Sequence, residues 1–399
     1  MAAVRDEPRG RRRVGRTRLL AELASSGTAS RADLARATGL APSTVTSLVA
    51  GLMEEGLVIS ADAVGAGGIG RPGQLIRLGR GAGAVLGVDL GRHHLKVAVA
   101  DLSHTVLARR EASKVTTQDA AADLAMVKEH VDVALADAGV SAQELLGVAV
   151  GLPGPVHSSG ELGDSTILPG WVGVRATEAF EEALGLRVEV DNDANLGALG
   201  ESRWGAGASV RDLVYLKVST GVGAGLVVDG RLYRGAGRTA GEIGHTVLDP
   251  GGPVCRCGNR GCLEMYAGSG AILAALQATH PDVNDLAAVV ARALDGDPGC
   301  RRVVADAGRA IGSALAAMCN ILNPARVVVG GTLGAAGDVL LDPMRDAVRA
   351  GSIRSAALDV EVVPAGLGSD SELMGAVALA LAQVEAGFKR GAVRLGQLT

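Results

Sequence analysis

Val218-Ser219-Thr220-Gly221-Val222-Gly223-Ala224-Gly225-Leu226, followed by Gly235, Gly241, Gly244 and His245, is the stretch on which the reading of this chain turns. Glycines spaced two apart leave bare backbone where amide groups can come close to a phosphate or a sugar. The run alone is weak evidence, because glycine makes up 58 of the 399 residues. Its neighbours make it strong. Downstream, His245, Cys255, Cys257 and Cys262 follow the pattern His-x9-Cys-x-Cys-x4-Cys. One imidazole and three thiolates are the donor set of a structural tetrahedral zinc site, with no position left for a reactive water. Gly258 and Gly261 let the chain turn tightly between the thiols. The alternative is a set of reduced, buried cysteines. Cys300 and Cys319 stand in helical stretches and read as core residues. Five cysteines, three of them within eight positions, fit metal ligation in a reducing compartment better than a disulfide framework.

Upstream of the glycine run the texture alternates between strands and helices. Val85–Leu90, Leu95–Asp101 and Thr105–Arg110 read as three consecutive strands, then a helix over about 118–138, then the strand Gly147–Val150. A second start of the same kind appears at Leu213–Val218, Gly223–Val228 and near Leu232. Periodicity alone does not establish a duplication. The chain resembles the actin-like sugar kinase fold, whose two lobes each begin with three strands. The glycine signature, the cysteine set and Asp191-Asn192-Asp193-Ala194-Asn195 together identify it as similar to the ROK family (repressors, open reading frames and kinases) from about residue 14 to 388. The arrangement is that of the regulator branch, whose members include xylose and N-acetylglucosamine-type repressors. It implies an α/β chain with an N-terminal winged helix-turn-helix over 1–80 and a two-lobed, ribonuclease H-like ATPase body. The first lobe is expected over 84–193 plus 370–399, and the second, with the zinc loop, over 194–369.

The resemblance assigns roles. Asp193 matches the family's catalytic base, which takes the proton of a sugar hydroxyl as it attacks a γ-phosphate. Asn192, Glu242, His245 and Glu264 match residues that bind sugar hydroxyls, and Gly154 lies in the sugar-side loop Gly151-Leu152-Pro153-Gly154-Pro155. Polyols need such acceptors and amides, since an unpaired buried polar group costs about 1–3 kcal/mol. Glu242 and His245, three apart, can share one helical face, with one imidazole nitrogen for the metal and one for the ligand. The bland reading is that Asp191 and Asp193 only cap a helix from Ala194 to about Arg203.

The nucleotide side departs from the pattern. Family kinases carry Asp-x-Gly-Gly-Thr-Lys at the first phosphate loop, where this chain has Asp89-Leu90-Gly91-Arg92-His93-His94. Arg92 puts a Cβ where backbone must approach phosphate, and His93 removes an anchoring hydroxyl. Ser219 replaces the glycine that opens the second loop. Asp89, Gly91, Thr220, Gly221, Gly223 and Gly331, the last within Val327-Val328-Val329-Gly330-Gly331-Thr332-Leu333-Gly334, remain as half a nucleotide site. That speaks against efficient ATP use and phosphoryl transfer. The opposing reading has Arg92 grip the phosphate of ATP or of a sugar phosphate.

Residues 16–59 read as three short helices. Ser30-Arg31-Ala32-Asp33 is a capping box for the second, and Gly39 ends it. The third opens near Pro42 and buries Val45, Leu48, Val49 and Leu52, which turns Ser43, Thr44, Thr46 and Ser47 toward bases and phosphates. Leu57–Ile59 and Gln74–Leu78 alternate like the strands of a wing whose tip, Gly70-Arg71-Pro72-Gly73, sends Arg71 toward a narrow minor groove. An arginine-rich arm containing Arg9, Arg11, Arg12, Arg13, Arg16 and Arg18 adds phosphate contacts. Net charge agrees: residues 1–80 sum to +5 and the remainder to −9, so a polyanion suits the first segment only. The alternative is a helical protein-interaction domain with a solvated basic tail.

These readings lead to a cytoplasmic, sugar-responsive regulator, most simply a repressor. It is expected to bind double-stranded operator DNA as a homodimer, or as a tetramer built from dimers, with a sugar or sugar phosphate as effector, zinc as structural metal and no membrane partner. The competing expectation is an ATP-dependent hexose or N-acetylhexosamine kinase that also carries a DNA-binding domain.

Overall fold

In a computed structural model, residues 7–61, 74–114, 119–163 and 168–390 are described. The chain opens with α1 (Glu7–Ser26), β1 (Thr28–Ser30), α2 (Arg31–Thr38), α3 (Pro42–Glu54), β2 (Val58–Ala61) and β3 (Leu75–Leu78). The first helix is not short. It runs for 20 residues, so the basic segment expected as an arm is helical from Glu7 onward. Arg, Leu and Ala are strong helix formers, and Pro8 falls in the first turn, where its missing N–H costs nothing. Ser30 caps α2 as expected: its hydroxyl accepts from the Asp33 amide (3.2 Å) and the Asp33 carboxylate accepts from the Ser30 amide (3.2 Å). β1 was not expected. It extends the β2–β3 hairpin by pairing antiparallel with β3, giving the order β1-β3-β2. The wing tip and Arg71 lie outside the described residues.

The body contains β4 (Ala84–Leu90), β5 (His94–Asp101), β6 (Val106–Ser113), α4 (Ala120–Ala138), β7 (Leu145–Leu152), α5 (Ala176–Leu184), β8 (Glu189–Asn192) and α6 (Asp193–Trp204). Then come β9 (Leu213–Val218), β10 (Val222–Val228), β11 (Arg231–Tyr233), α7 (Glu264–Ala267), α8 (Ser269–Leu276), α9 (Leu286–Leu294) and α10 (Pro298–Leu322). The last elements are β12 (Arg326–Gly330), α11 (Gly331–Gly334), α12 (Asp338–Gly351), α13 (Arg354–Asp359), β13 (Glu361–Pro364) and α14 (Ser371–Arg390).

Two sheets show the duplication. One has the order β6-β5-β4-β7-β8 and the other β11-β10-β9-β12-β13. In each, three antiparallel strands are followed by two parallel ones. The central strand β4 is buried along its whole length, which is why its sequence reads Ala-Val-Leu-Gly-Val-Asp-Leu without polar alternation. α14 returns from the C-terminal end to lie on β4, β7 and α6. Leu19 and Leu23 of α1 share one apolar cluster with Val377, Leu381 and Phe388 of α14, which seats the N-terminal head on the first lobe. Cys300 and Cys319 are buried on α10, as their helical setting suggested.

Candidate effector cleft and metal cluster

The loop at the end of β7, the junction of β8 and α6, and the turns after β9 and β11 converge on a cleft of about 200 Å³. That is closer to one monosaccharide than to the roughly 300–1,000 Å³ of a drug-sized pocket. Gly154, Asn192, Asp193, Glu242, His245 and Glu264 all line it. Asn192 owes its place to capping: its Oδ1 accepts from the amides of Ala194 (2.9 Å) and Asn195 (3.2 Å), and its Nδ2 donates to the Gly154 carbonyl (3.0 Å). The cap of α6 is therefore Asn192. Asp191 is buried and bridges Asn195 Nδ2 (3.0 Å) to Arg234 Nε (2.7 Å). Asp193 accepts from the Ala194 amide through Oδ1 (2.8 Å) and from Lys217 Nζ through Oδ2 (3.0 Å).

Glu242 precedes a single 3₁₀ turn, Ile243–His245. Residues three apart eclipse one another in such a turn, so Glu242 and His245 do share a face. Burial, then the charges of Asp193 and Glu264, push the Glu242 carboxyl up to about 7, with Arg256 opposing. Glu264 accepts from Arg256 (2.9 Å) and from the Val222 amide (3.4 Å).

His245, Cys255, Cys257 and Cys262 form a cluster whose four ligand atoms lie within 4.8 Å of one another. His245 Nδ1 stands 3.6 Å from Cys255 Sγ, and Cys257 Sγ 3.6 Å from Cys262 Sγ. Zn–S bonds of about 2.3 Å in a tetrahedron give edges near 3.7 Å, so the donors fit a metal of that size. Gly261 makes the loop possible, with φ at +61° and its Cα so near Asp249 that a Cβ would meet that carbonyl at 1.7 Å. His245 stands between the two features: its Nδ1 faces the Cys255 thiol while the residue also lines the cleft.

On the phosphate side, Gly91, Thr220, Gly221 and Gly223 line the same cleft, as do Arg92, His93 and His94. Asp89 lies beneath them, buried, and Gly331 stands behind Val218. Asp89 Oδ2 is held by His94 Nε2 at 2.9 Å. Burial raises the Asp89 carboxyl, but the His94 hydrogen bond and the charge of Lys217 outweigh it, and the net displacement is downward.

Two residues of the cleft escaped the sequence reading. Lys217 lies among Asp193, Glu372 (3.3 Å) and the charge of Asp89. Burial works against its ammonium, yet the three carboxylates together raise its pKa. A lysine in the otherwise apolar strand Leu-Val-Tyr-Leu-Lys-Val was the signal. Arg256 sits between two of the cluster's thiols, so folding the metal loop delivers its guanidinium to Glu264. In the head, Ser43, Thr44, Thr46 and Ser47 are exposed while Val45, Leu48, Val49 and Leu52 are buried. Arg16, expected at DNA, forks onto both carboxylate oxygens of Glu55.

Comparison with known proteins agrees with this geometry. The profile of the IclR helix-turn-helix domain matches residues 17–60. The xylose repressor of Caldicellulosiruptor bescii is 27% identical, over 89% of this chain and 92% of its own length. A glucokinase of Halalkalibacterium halodurans is 31% identical over 73% of this chain and 92% of its own. The crystal structure of a ROK family transcriptional regulator, a homologue of the E. coli Mlc protein, superimposes with a TM-score of 0.74 at 27% identity, covering 96% of this chain and 98% of that one. The ROK family profile itself matches residues 85–383, both sheets and the cleft between them, and the chain belongs to the ROK family.

Proposed function

We propose that the protein is a sugar-responsive transcriptional regulator, a repressor in its simplest form, whose body binds a sugar or sugar derivative and whose head binds operator DNA. One observation carries the reading: six side chains and loops suited to a polyol meet in a monosaccharide-sized cleft of a chain that also presents an exposed Ser/Thr face on α3. Relatives matched over 88% or more of this chain are named as repressors, and one as a dual regulator of transcription. The work divides as residues 1–80 for DNA, 84–193 with 370–399 for the first lobe, and 194–369 for the second. Asn192, Asp193, Glu242, His245 and Glu264 hold the sugar, with Gly154 shaping the loop. Ser43, Thr44, Thr46, Ser47 and Arg71 face DNA.

His245, Cys255, Cys257 and Cys262 hold a structural zinc ion. Zinc supplies no reaction here; it fixes His245 and Arg256 at the cleft. Ile321, Ile353 and Leu358, respectively 80%, 61% and 74% exposed on neighbouring segments at the end of α10, suit a homodimer contact. Among the described residues no helix is long and apolar enough to cross a membrane.

Phosphoryl transfer does not fit this reading, because Asp193 is paired with Lys217 and Asp89 is hydrogen-bonded by His94. The rival reading, a hexose kinase, draws on the glucokinase relative and on the surviving Thr220, Gly221 and Gly223. Fluorescence anisotropy on DNA from upstream of its own gene, with sugars and sugar phosphates added with and without ATP, separates them. Nanomolar binding released by one sugar without ATP supports the regulator. ADP formation from ATP and a sugar, without tight DNA binding, would replace it by the kinase.

A further inference from the structure

Helix α6 reaches from the cleft to the DNA-binding head. Asp193 at its start lines the cleft, and Arg203 and Trp204 end it against α1. At 1.5 Å per residue the two ends are about 16 Å apart. The Arg203 guanidinium donates to the carbonyls of Ser25 (3.0 Å) and Ala24 (3.3 Å), in the last turn of α1. Those carbonyls lack intrahelical partners, and a cation also meets the negative end of the helix dipole. Glu385 of α14 tethers the same guanidinium at 2.9 Å.

His104 reinforces the grip. Its Nε2 lies 2.7 Å from the Ala24 carbonyl and 3.0 Å from Arg203 Nη2, and its ring meets Trp204 edge-on, with centroids 5.5 Å apart. Burial depresses its pKa, with the Ala24 hydrogen bond opposing and the Arg203 charge adding to the effect. Its backbone is in the left-handed region, φ +70°, where few residues other than glycine settle. The turn between β5 and β6 that carries His104 also holds the other side of the head: Arg77 of β3 donates to Ser103 Oγ (2.9 Å) and pairs with buried Asp101 (3.6 Å).

α6 is built to move as a piece. Its residues Asp193 through Ala198 are buried, and it lies so close to α14 that a Cβ on Gly375 would meet the Leu196 carbonyl at 1.7 Å. Backbones in such contact shift together, because a packed interface is not continuously deformable. The head therefore has two anchors: the end of α1 rides on α6 and α14 and also meets His104 of the β5–β6 turn, while β3 rides on that turn alone. A displacement of α6 relative to that turn tilts the head.

We propose that Arg203, seconded by His104 and Glu385, is the positioning residue through which engagement of Asp193 by a sugar reseats the DNA-binding head. The inference rests on the regulator reading above and names its route. The test uses the full-length protein, a duplex selected from a random pool by the wild type, and D-xylose, D-glucose and N-acetylglucosamine as probes. The wild type is expected to change its DNA affinity by a factor within the roughly 5–150-fold span of allosteric coupling when one of these sugars binds. Arg203→Gln should bind that sugar with wild-type affinity by calorimetry and bind the duplex within about threefold of wild type, yet lose the coupling to under about twofold. If Arg203→Gln loses the sugar as well, Glu385→Gln, which frees the guanidinium without removing it, is judged by the same criteria. A wild-type coupling factor retained in the variant that still binds sugar overturns the relay and leaves the regulator standing. A wild type that selects no duplex, or binds none of the three sugars, overturns the regulator reading and the relay with it.

Discussion

The two halves of the cleft differ in what their charged groups are already doing. On the sugar side, Glu242 forms no ion pair among the described residues and carries a raised pKa, while Glu264 and His245 are steered into the cleft by the cysteine loop. On the phosphate side, Asp89 is held by His94 and Glu372 by Lys217, which also pairs with Asp193 where the two sides meet. Glu242 is thus left open to a hydroxylated ligand, whereas Asp193 and Glu372 already share Lys217 and Asp89 is hydrogen-bonded by His94. The fold alone does not decide between binding and reaction, which rest on side chains at a few positions of the cleft.

The largest effect belongs to the metal. Structural zinc contributes an apparent 10–16 kcal/mol or so in small domains, and the proposed metal cluster here borders the proposed sugar side through His245 and Arg256. Cys257→Ser is expected to purify without stoichiometric zinc, to melt earlier, and to lose sugar-dependent release of DNA. Metal analysis with a thermal melt checks the first two. A variant free of zinc that still answers the sugar as wild type does would remove the metal from the switch.

Next comes the phosphate side. Lys217→Ala leaves Asp193, Glu372 and Asp89 facing one another without their common cation. Removing one partner of a buried charge cluster costs about 3–5 kcal/mol. The loss should be greater at pH 8 than at pH 5.5, because protons can then replace the ammonium. Chemical denaturation at both values measures it. Equal stability of variant and wild type at pH 8 would mean that Lys217 does not neutralise the cluster.

What was legible in the sequence is what carries chemistry at short range. The glycine run, the cysteine spacing and Asp191-Asn192-Asp193 name their neighbourhood by residue type alone, and the structure brings them to one place. Contacts across long separations were silent. Arg203 and Ser25 are 178 residues apart, and nothing local to either encodes their meeting. β1 was hidden because three residues next to a capping box look like its approach, and only pairing with β3 makes them a strand. The loop after β4 departed from the family pattern in plain view, but the sequence pointed to Arg92 and His93. His94 is the residue that closes on Asp89, because one strand turn places it opposite, across the Gly91 amide to His94 carbonyl bond of 3.0 Å.

A smaller effect probes the sugar side directly. Asp193→Asn keeps the size of the side chain and one acceptor, but turns an oxygen facing Lys217 into a donor or an amide oxygen of lower charge. Losing one hydrogen bond to a charged group costs about 1.5–3 kcal/mol. Sugar affinity by calorimetry should fall about 10-fold to 150-fold by that amount, while DNA affinity without sugar stays as it was. Unchanged sugar affinity would move the ligand away from α6.

The smallest effect is a slope with pH, and its sign is fixed by Glu242. In the unfolded chain this carboxyl titrates at its ordinary 4.5, and in the folded cleft at about 7. Between those values the folded protein holds a proton that the unfolded chain has released. Stability therefore declines as pH rises through that window and levels off above it, the reverse of an ion-paired carboxylate. Glu242 is only half-buried, so the contribution is modest and other groups titrate beside it. The informative quantity is the difference between wild type and Glu242→Gln, whose amide does not titrate. Melting temperatures at pH 5 and pH 8 should show a steeper decline in the wild type than in the variant. Parallel declines would mean that Glu242 ionises in the cleft as it does in water, and that Asp193 and Glu264 exert no common field on the sugar side.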